Sequence, residues 1–164
     1  MNNVLKYFSS CFLLLIPILF WNALFASSLP RGYSMEFFWK GIPAFIGTTE
    51  NVLRAIVILI PLLMPLKVRS RSQKTGLAVF IAGVAVYLAS WIALIYFPES
   101  VWSRSIFGFM APAATPIVWL TGIGLIGETL FAGIPYHPMV YIGLSAVFVV
   151  FHSIHSYIVF ARLQ

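Results

Sequence analysis

The chain has 164 residues, 61% of them apolar and 9% charged, with a mean hydropathy of +0.98; an average soluble domain carries roughly 25% charged residues. This composition excludes an ordinary soluble domain and leaves no hydrophilic stretch long enough for a second one, so residues 1–164 are expected to form one all-α integral membrane bundle. The net charge of +6 does not call for nucleic acid as a partner, because Lys67, Arg69, Arg71 and Lys74 crowd one short loop between two apolar runs, which is the positive-inside pattern.

Five runs approach the roughly 20 apolar residues that a spanning helix needs: 5–26, 51–66, 77–97, 116–134 and 139–161. The first also reads as a signal peptide, since Lys6 precedes an apolar core that ends in Ala23-Leu24-Phe25-Ala26 before Ser27. The single cysteine, Cys11, excludes an internal disulfide and a cysteine-only metal site. Residues 35–45, between the first and second runs, read as a short amphipathic helix lying along the interface. The second run is short, with Pro61 and Pro65 placed to kink its end. With the 67–74 loop cytoplasmic, the amino terminus is cytoplasmic, the loops around Arg31 and Arg104 lie outside, and an odd span count puts the carboxyl terminus outside.

In the third run Ala78, Ala82, Ala85 and Ala89 predict a small-residue seam against a neighbouring helix. Trp21, Trp39, Trp102 and Tyr136 fall near span ends, where amphipathic rings prefer to sit. Residues 106–110 are apolar enough to dip back into the interface from an outer loop or to cover a cavity. In the fourth run Gly122, Gly124 and Gly127 match a dinucleotide-binding fingerprint in letters alone. That motif needs a preceding strand and an acidic residue about twenty positions on, whereas position 147 is valine and the chain has no aspartate. The glycines are expected to mark close helix contact or local flexibility. Pro135, Tyr136, His137 and Pro138 predict a tight turn into the fifth run.

The candidate ligand-binding residues are Glu50, Arg54, Trp91, Glu128, His152 and His155. A guanidinium inside a span costs a few kcal/mol unless it faces the bundle interior or water with a partner. Glu50 and Arg54, four apart, stack on one helical face and can pair; the alternative is that Glu50 caps the helix while Arg54 snorkels outward. His152 and His155, three apart, share a face, and at about 1.5 Å of rise per residue they fall near the level of Arg54. Trp91 and Asn22 belong to the same outer half, and Glu128 is expected slightly on the inner side of the midplane. Two histidines with Glu128 as the one embedded donor from another span leave a metal shell incomplete, and haem would want ligands on facing helices, so no cofactor is expected.

Three functions compete. The first is a small membrane-embedded binding or sensor protein, in the cell membrane, with an outer-half polar cavity for a lipid, isoprenoid or other small anionic ligand. The second is an intramembrane enzyme on a lipid or isoprenoid substrate, with His152 or His155 as general base and Arg54 on the headgroup. The third is a proton-coupled transporter using Glu128 and the histidines. Five spans forbid a two-fold inverted repeat within one chain, so the transporter requires a homo-oligomer.

Overall fold

A computed structural model of the chain describes residues 9–131 and 135–164; Lys6 and the end of the predicted fourth run fall outside them. The described residues form helices and no strand. They include α1 (Ile16–Phe25), α2 (Met35–Trp39), α3 (Ala44–Leu63), α4 (Arg71–Tyr96), α5 (Val101–Arg104), α6 (Ile106–Ala114), α7 (Pro116–Ile126) and α8 (Pro138–Ala161). Five stretches are long and apolar enough to cross a membrane: Cys11–Ser28, Ala44–Leu63, Arg71–Tyr96, Ile106–Ile126 and Pro138–Ala161.

The predicted limits of three runs move. The second starts at Ala44, seven residues before residue 51, because Gly47, Thr48, Thr49 and Glu50 interrupt the apolar pattern without interrupting the helix. The predicted interfacial helix therefore divides: its first part is α2, its last residues open α3, and between them Gly41 adopts φ +64°, a left-handed conformation natural to glycine. The fourth run is displaced most. It begins at Ile106 behind a Ser105 side-chain cap on the Gly108 N–H and ends at Ile126, so residues 106–110 are the first turns of the span and not a loop. Pro112 sits inside α6, and Pro116 opens α7, the first-turn position where a missing N–H costs nothing.

α4 starts six residues before its predicted limit because Ser70 and Gln73 form a reciprocal cap, Ser70 Oγ accepting from the Gln73 N–H and Gln73 Oε1 from the Ser70 N–H. Gln73 Nε2 also donates to the Ile126 carbonyl at 3.2 Å. The same side chain thus caps one helix and satisfies the end of another. α4 and α7 lie so close that a Cβ on Gly83 would stand 2.4 Å from the Trp119 nitrogen, and one on Gly122 2.5 Å from the Phe80 nitrogen. The seam runs through Gly76, Phe80, Gly83 and Tyr87. The alanine seam expected from sequence is corrected: Ala78, Ala82, Ala85 and Ala89 are all exposed on the other face of α4.

α7 is the centre of the bundle, packed between α4 and α8, while α3 and α6 lie along α8. One end is closed by backbone bonds from Cys11 to Met64 and from Leu66 to Ser9, both 2.8 Å, and from Phe131 to Leu63, 2.9 Å. The other end is closed by α2 and the residues before it. There Arg162 Nη2 donates to the Phe37 carbonyl at 3.1 Å, and the Tyr33 hydroxyl donates to the Phe109 carbonyl. Burial holds Tyr33 in its neutral phenol form. Large apolar side chains such as Phe20, Ile81 and Val150 cover the outward faces, all more than half exposed.

Candidate functional site

The site is assembled by α3 and α8 beneath α2. On α3, Glu50 and Arg54 are one turn apart and share a face. Glu50 is the seventh residue of its helix, which begins behind Pro43, so the capping alternative is excluded. Its carboxylate is completely buried. Arg54 Nη2 donates to Glu50 Oε1, and Nη1 to Asn51 Oδ1 at 3.2 Å.

From α8, His152 and His155 meet the same carboxylate: His152 Nδ1 lies 2.9 Å from Oε1, and His155 Nδ1 lies 2.5 Å from Oε2. His155 is fully buried and its Nε2 lies 2.9 Å from the Phe38 carbonyl oxygen. That oxygen belongs to the end of α2, where helical carbonyls have no partner within the helix. The rings of Phe38 and Trp39 enclose His155 at centroid distances of 4.2 and 4.7 Å.

This geometry fixes a proton count. A carbonyl only accepts, so His155 Nε2 carries hydrogen. Its Nδ1 then either carries a second hydrogen toward a carboxylate or accepts one from a protonated Glu50. In both arrangements the pair is neutral as a whole, and Arg54 adds one positive charge. The other three acidic residues of the chain do not offset it. Glu36 is exposed on α2, Glu99 pairs with Arg104, and Glu128 lies beyond the far end of α7.

Glu128 is the one candidate that the structure separates from the rest. It was expected inside the fourth span, but α7 stops at Ile126 because Gly127 turns to an extended conformation under Met64 and Tyr136, leaving Glu128 exposed. The carboxylate beside both histidines is Glu50. Among the described residues no group of three or more His, Cys, Asp or Glu is arranged to hold a metal ion. The guanidinium already on Glu50 Oε1 opposes a cation there.

A cavity of about 360 Å³ adjoins the cluster, within the range of roughly 300–1,000 Å³ typical of small-molecule sites. Arg54, His152, Asn22 and Ser156 give it a polar side, and Leu15, Ile18, Val57 and Leu120 line its apolar depth. Trp91, a candidate from sequence, is buried in its wall together with Trp119; neither indole N–H has an acceptor among the described residues. His155, on the same helical face as His152, does not line the cavity; Glu50 and the Phe38 carbonyl occupy both of its nitrogens. Asn22 is held by the Tyr87 hydroxyl at 2.6 Å.

Sequence reasoning missed Tyr87, Trp119 and Phe38. The two aromatics are indistinguishable by pattern from ordinary buried residues of a span, and Phe38 acts through its backbone carbonyl, which every residue possesses. Comparison of the chain with protein-family models, with curated proteins and with solved structures finds no match.

Proposed function

We propose that this is a multi-pass membrane protein that binds an amphiphile with an anionic headgroup, the head held by Arg54 and His152 and the apolar part in the adjoining cavity. The observation that carries the reading is the proton count: Glu50, Arg54 and His155 together hold one positive charge beside a largely apolar cavity, with no second carboxylate paired to it. Charge at such a place is costly unless something of opposite sign joins it. Glu50 and Asn51 use two of the five N–H donors of Arg54, which leaves three in a planar fork suited to a carboxylate or phosphate. On this reading residues 67–74, the connection after α3 together with the first turn of α4, carry four basic residues within eight positions and are cytoplasmic. The site, near the opposite end of the bundle, then opens in the outer half of the cell membrane.

The intramembrane-enzyme reading has one observation in its favour. Glu50 contacts His152 through Nδ1, the arrangement that orients an imidazole as a base. No nucleophile is hydrogen-bonded to His152 among the described residues, so binding is the better-supported function.

Native mass spectrometry of protein released from micelles tests the proposal. The wild type is expected to carry an anionic amphiphile near one per chain, and Arg54→Gln to lose it by about tenfold or more, the equivalent of one hydrogen bond to a charged group at roughly 1.5–3 kcal/mol. Equal occupancy of the two proteins, or no bound anion in the wild type, refutes it.

A further inference from the structure

Of the two side chains assigned to the headgroup, Arg54 donates in every state, whereas a histidine nitrogen donates or accepts according to where its hydrogens lie. His152 Nδ1 is 2.9 Å from Glu50 Oε1, and the same oxygen accepts from Arg54 Nη2. A guanidinium on an oxygen opposes a hydrogen on that oxygen. Oε1 is therefore an acceptor toward the imidazole, and Nδ1 carries hydrogen. This holds in both arrangements of the Glu50 and His155 pair, because a hydrogen shared within that pair lies at Oε2.

The other ring nitrogen is then decided by charge alone. On a neutral His152, Nε2 is a bare lone pair; on an imidazolium it is an N–H donor. Nε2 has no partner among the described residues, and the side chain, 22% exposed, lines the cavity. Phe148 stacks on the ring at a centroid distance of 5.6 Å and Phe38 lies at 6.4 Å. With Nδ1 turned to Glu50, Nε2 is the nitrogen left for a ligand. A lone pair repels an anionic oxygen, so neutral His152 cannot hold the head that Arg54 attracts.

No neighbouring group supplies that hydrogen instead. From α3 come Glu50 and Arg54, already paired with each other. Glu36 of α2 is exposed, as is Tyr157 of α8, while His155 has both nitrogens occupied. α1, α6 and α7 carry no ionisable side chain. The phenols of the cavity lining, Tyr33 and Tyr87, donate to the Phe109 carbonyl and to Asn22.

We infer that an anionic head bound by Arg54 and His152 brings one proton with it from the aqueous phase, carried on His152 Nε2 as an N–H toward the ligand. The inference rests on the proposed function and adds its regulation by pH. An acid head that keeps its own proton and donates it to the lone pair gives the same count. A neutral hydroxyl needs none, since it donates to the lone pair or accepts from the imidazolium. Proton and anion each favour the binding of the other. Anion affinity is therefore highest at acid pH, where His152 is already charged, and falls as the pH rises, by about tenfold per unit for one linked proton.

The experiment is calorimetric titration of the full chain in phosphatidylcholine nanodiscs, with empty nanodiscs as the blank, across about pH 5–9, the span that brackets imidazole chemistry. The probes are decanesulfonate, whose charge is fixed over that span, and decanol. Repeating each titration in two buffers of different ionisation heat counts the protons taken up. The wild type should take up about one proton per sulfonate at the alkaline end and none with decanol, with sulfonate affinity falling as the pH rises. His152→Gln, which offers both a donor and an acceptor at every pH, should bind sulfonate with no uptake and a flat pH profile. Sulfonate binding that depends on Arg54 but takes up no proton at any pH overturns the linkage and leaves the binding function intact; this arm needs no variant of His152. Uptake that persists in His152→Gln, or that accompanies decanol equally, likewise overturns the linkage. No sulfonate binding at any pH, or binding unchanged by Arg54→Gln, overturns both.

Discussion

Replacing Glu50 by glutamine tests the centre of the site with almost no change in shape. The native carboxylate meets Arg54 and His152 on one oxygen and His155 on the other. An amide can keep all three contacts, its oxygen facing Arg54 and His152 and its NH₂ facing the Nδ1 of a neutral His155, but Arg54 then meets a neutral oxygen in place of a carboxylate. Breaking a buried ion pair by removing one partner costs about 3–5 kcal/mol. The Arg54 side chain is 35% exposed, so solvent recovers part of this, and the expected loss is near the lower figure, about 3 kcal/mol. For a chain of this size each kcal/mol moves the unfolding midpoint by roughly 2–4 °C, which predicts a fall of about 6–12 °C. Thermal unfolding in detergent, followed by tryptophan emission, measures it. Because the cost comes from an orphaned charge, Glu50→Gln combined with Arg54→Gln should lose less than the sum of the single changes, by about 0.5–3 kcal/mol of coupling. A midpoint within about 2 °C of wild type for Glu50→Gln, or strict additivity in the double variant, would refute the idea that Glu50 holds the site together.

Gly83→Ala and Gly122→Ala should each lower stability by about 1–3 kcal/mol through overpacking of α4 against α7, whereas Gly143→Ala, with nothing within 4 Å of its added carbon, should be neutral or stabilising in the same thermal assay. Gln73→Leu removes half of the α4 cap and the bond to Ile126, and should cost about 1–2 kcal/mol in denaturant titrations; an unchanged midpoint would show that the cap is redundant. In a Cys11→Ser background, cysteines placed at Ser72 and at Leu163 should react with a membrane-impermeant maleimide from opposite faces, and labelling of both from one face would overturn the five-span topology.

How much of this was legible in the sequence depends on which physical signal each residue carries. Hydropathy and length identify five segments long and apolar enough to cross a membrane, and the four-residue spacing of Glu50 and Arg54 and the three-residue spacing of the histidines define their faces without any coordinates. The choice of carboxylate was not legible. Which of Glu50 and Glu128 meets the histidines depends on where the fourth span ends, and that depends on Ser105 acting as a cap and on prolines 112 and 116 being tolerated within a helical run. Those residues read equally well as loop punctuation. The alanine seam failed for a related reason: periodicity shows that small residues share a face but not which face meets α7, a choice made by Gly76 and Gly83, where backbones approach more closely than any Cβ permits.

The wall of the cavity formed by the first span is held unevenly. Its deep end is tied through two main-chain bonds to residues 64–66 and buries Cys11 and Leu15. Beyond Ile18 no residue of Cys11–Ser28 is buried, and the hydrogen bond from Tyr87 to Asn22 is the polar tie at mid-length. Facing it, α4 and α7 meet backbone to backbone at Gly76, Gly83 and Gly122, with Phe80, Tyr87 and Trp119 packed alongside. Main-chain ties and full burial along the first span therefore concentrate toward Ser9, while Trp21, Phe25 and Leu29 pack against the core only in part. The first span is thus the least buried of the five apolar stretches and forms the wall of the cavity with the fewest ties to the rest of the bundle.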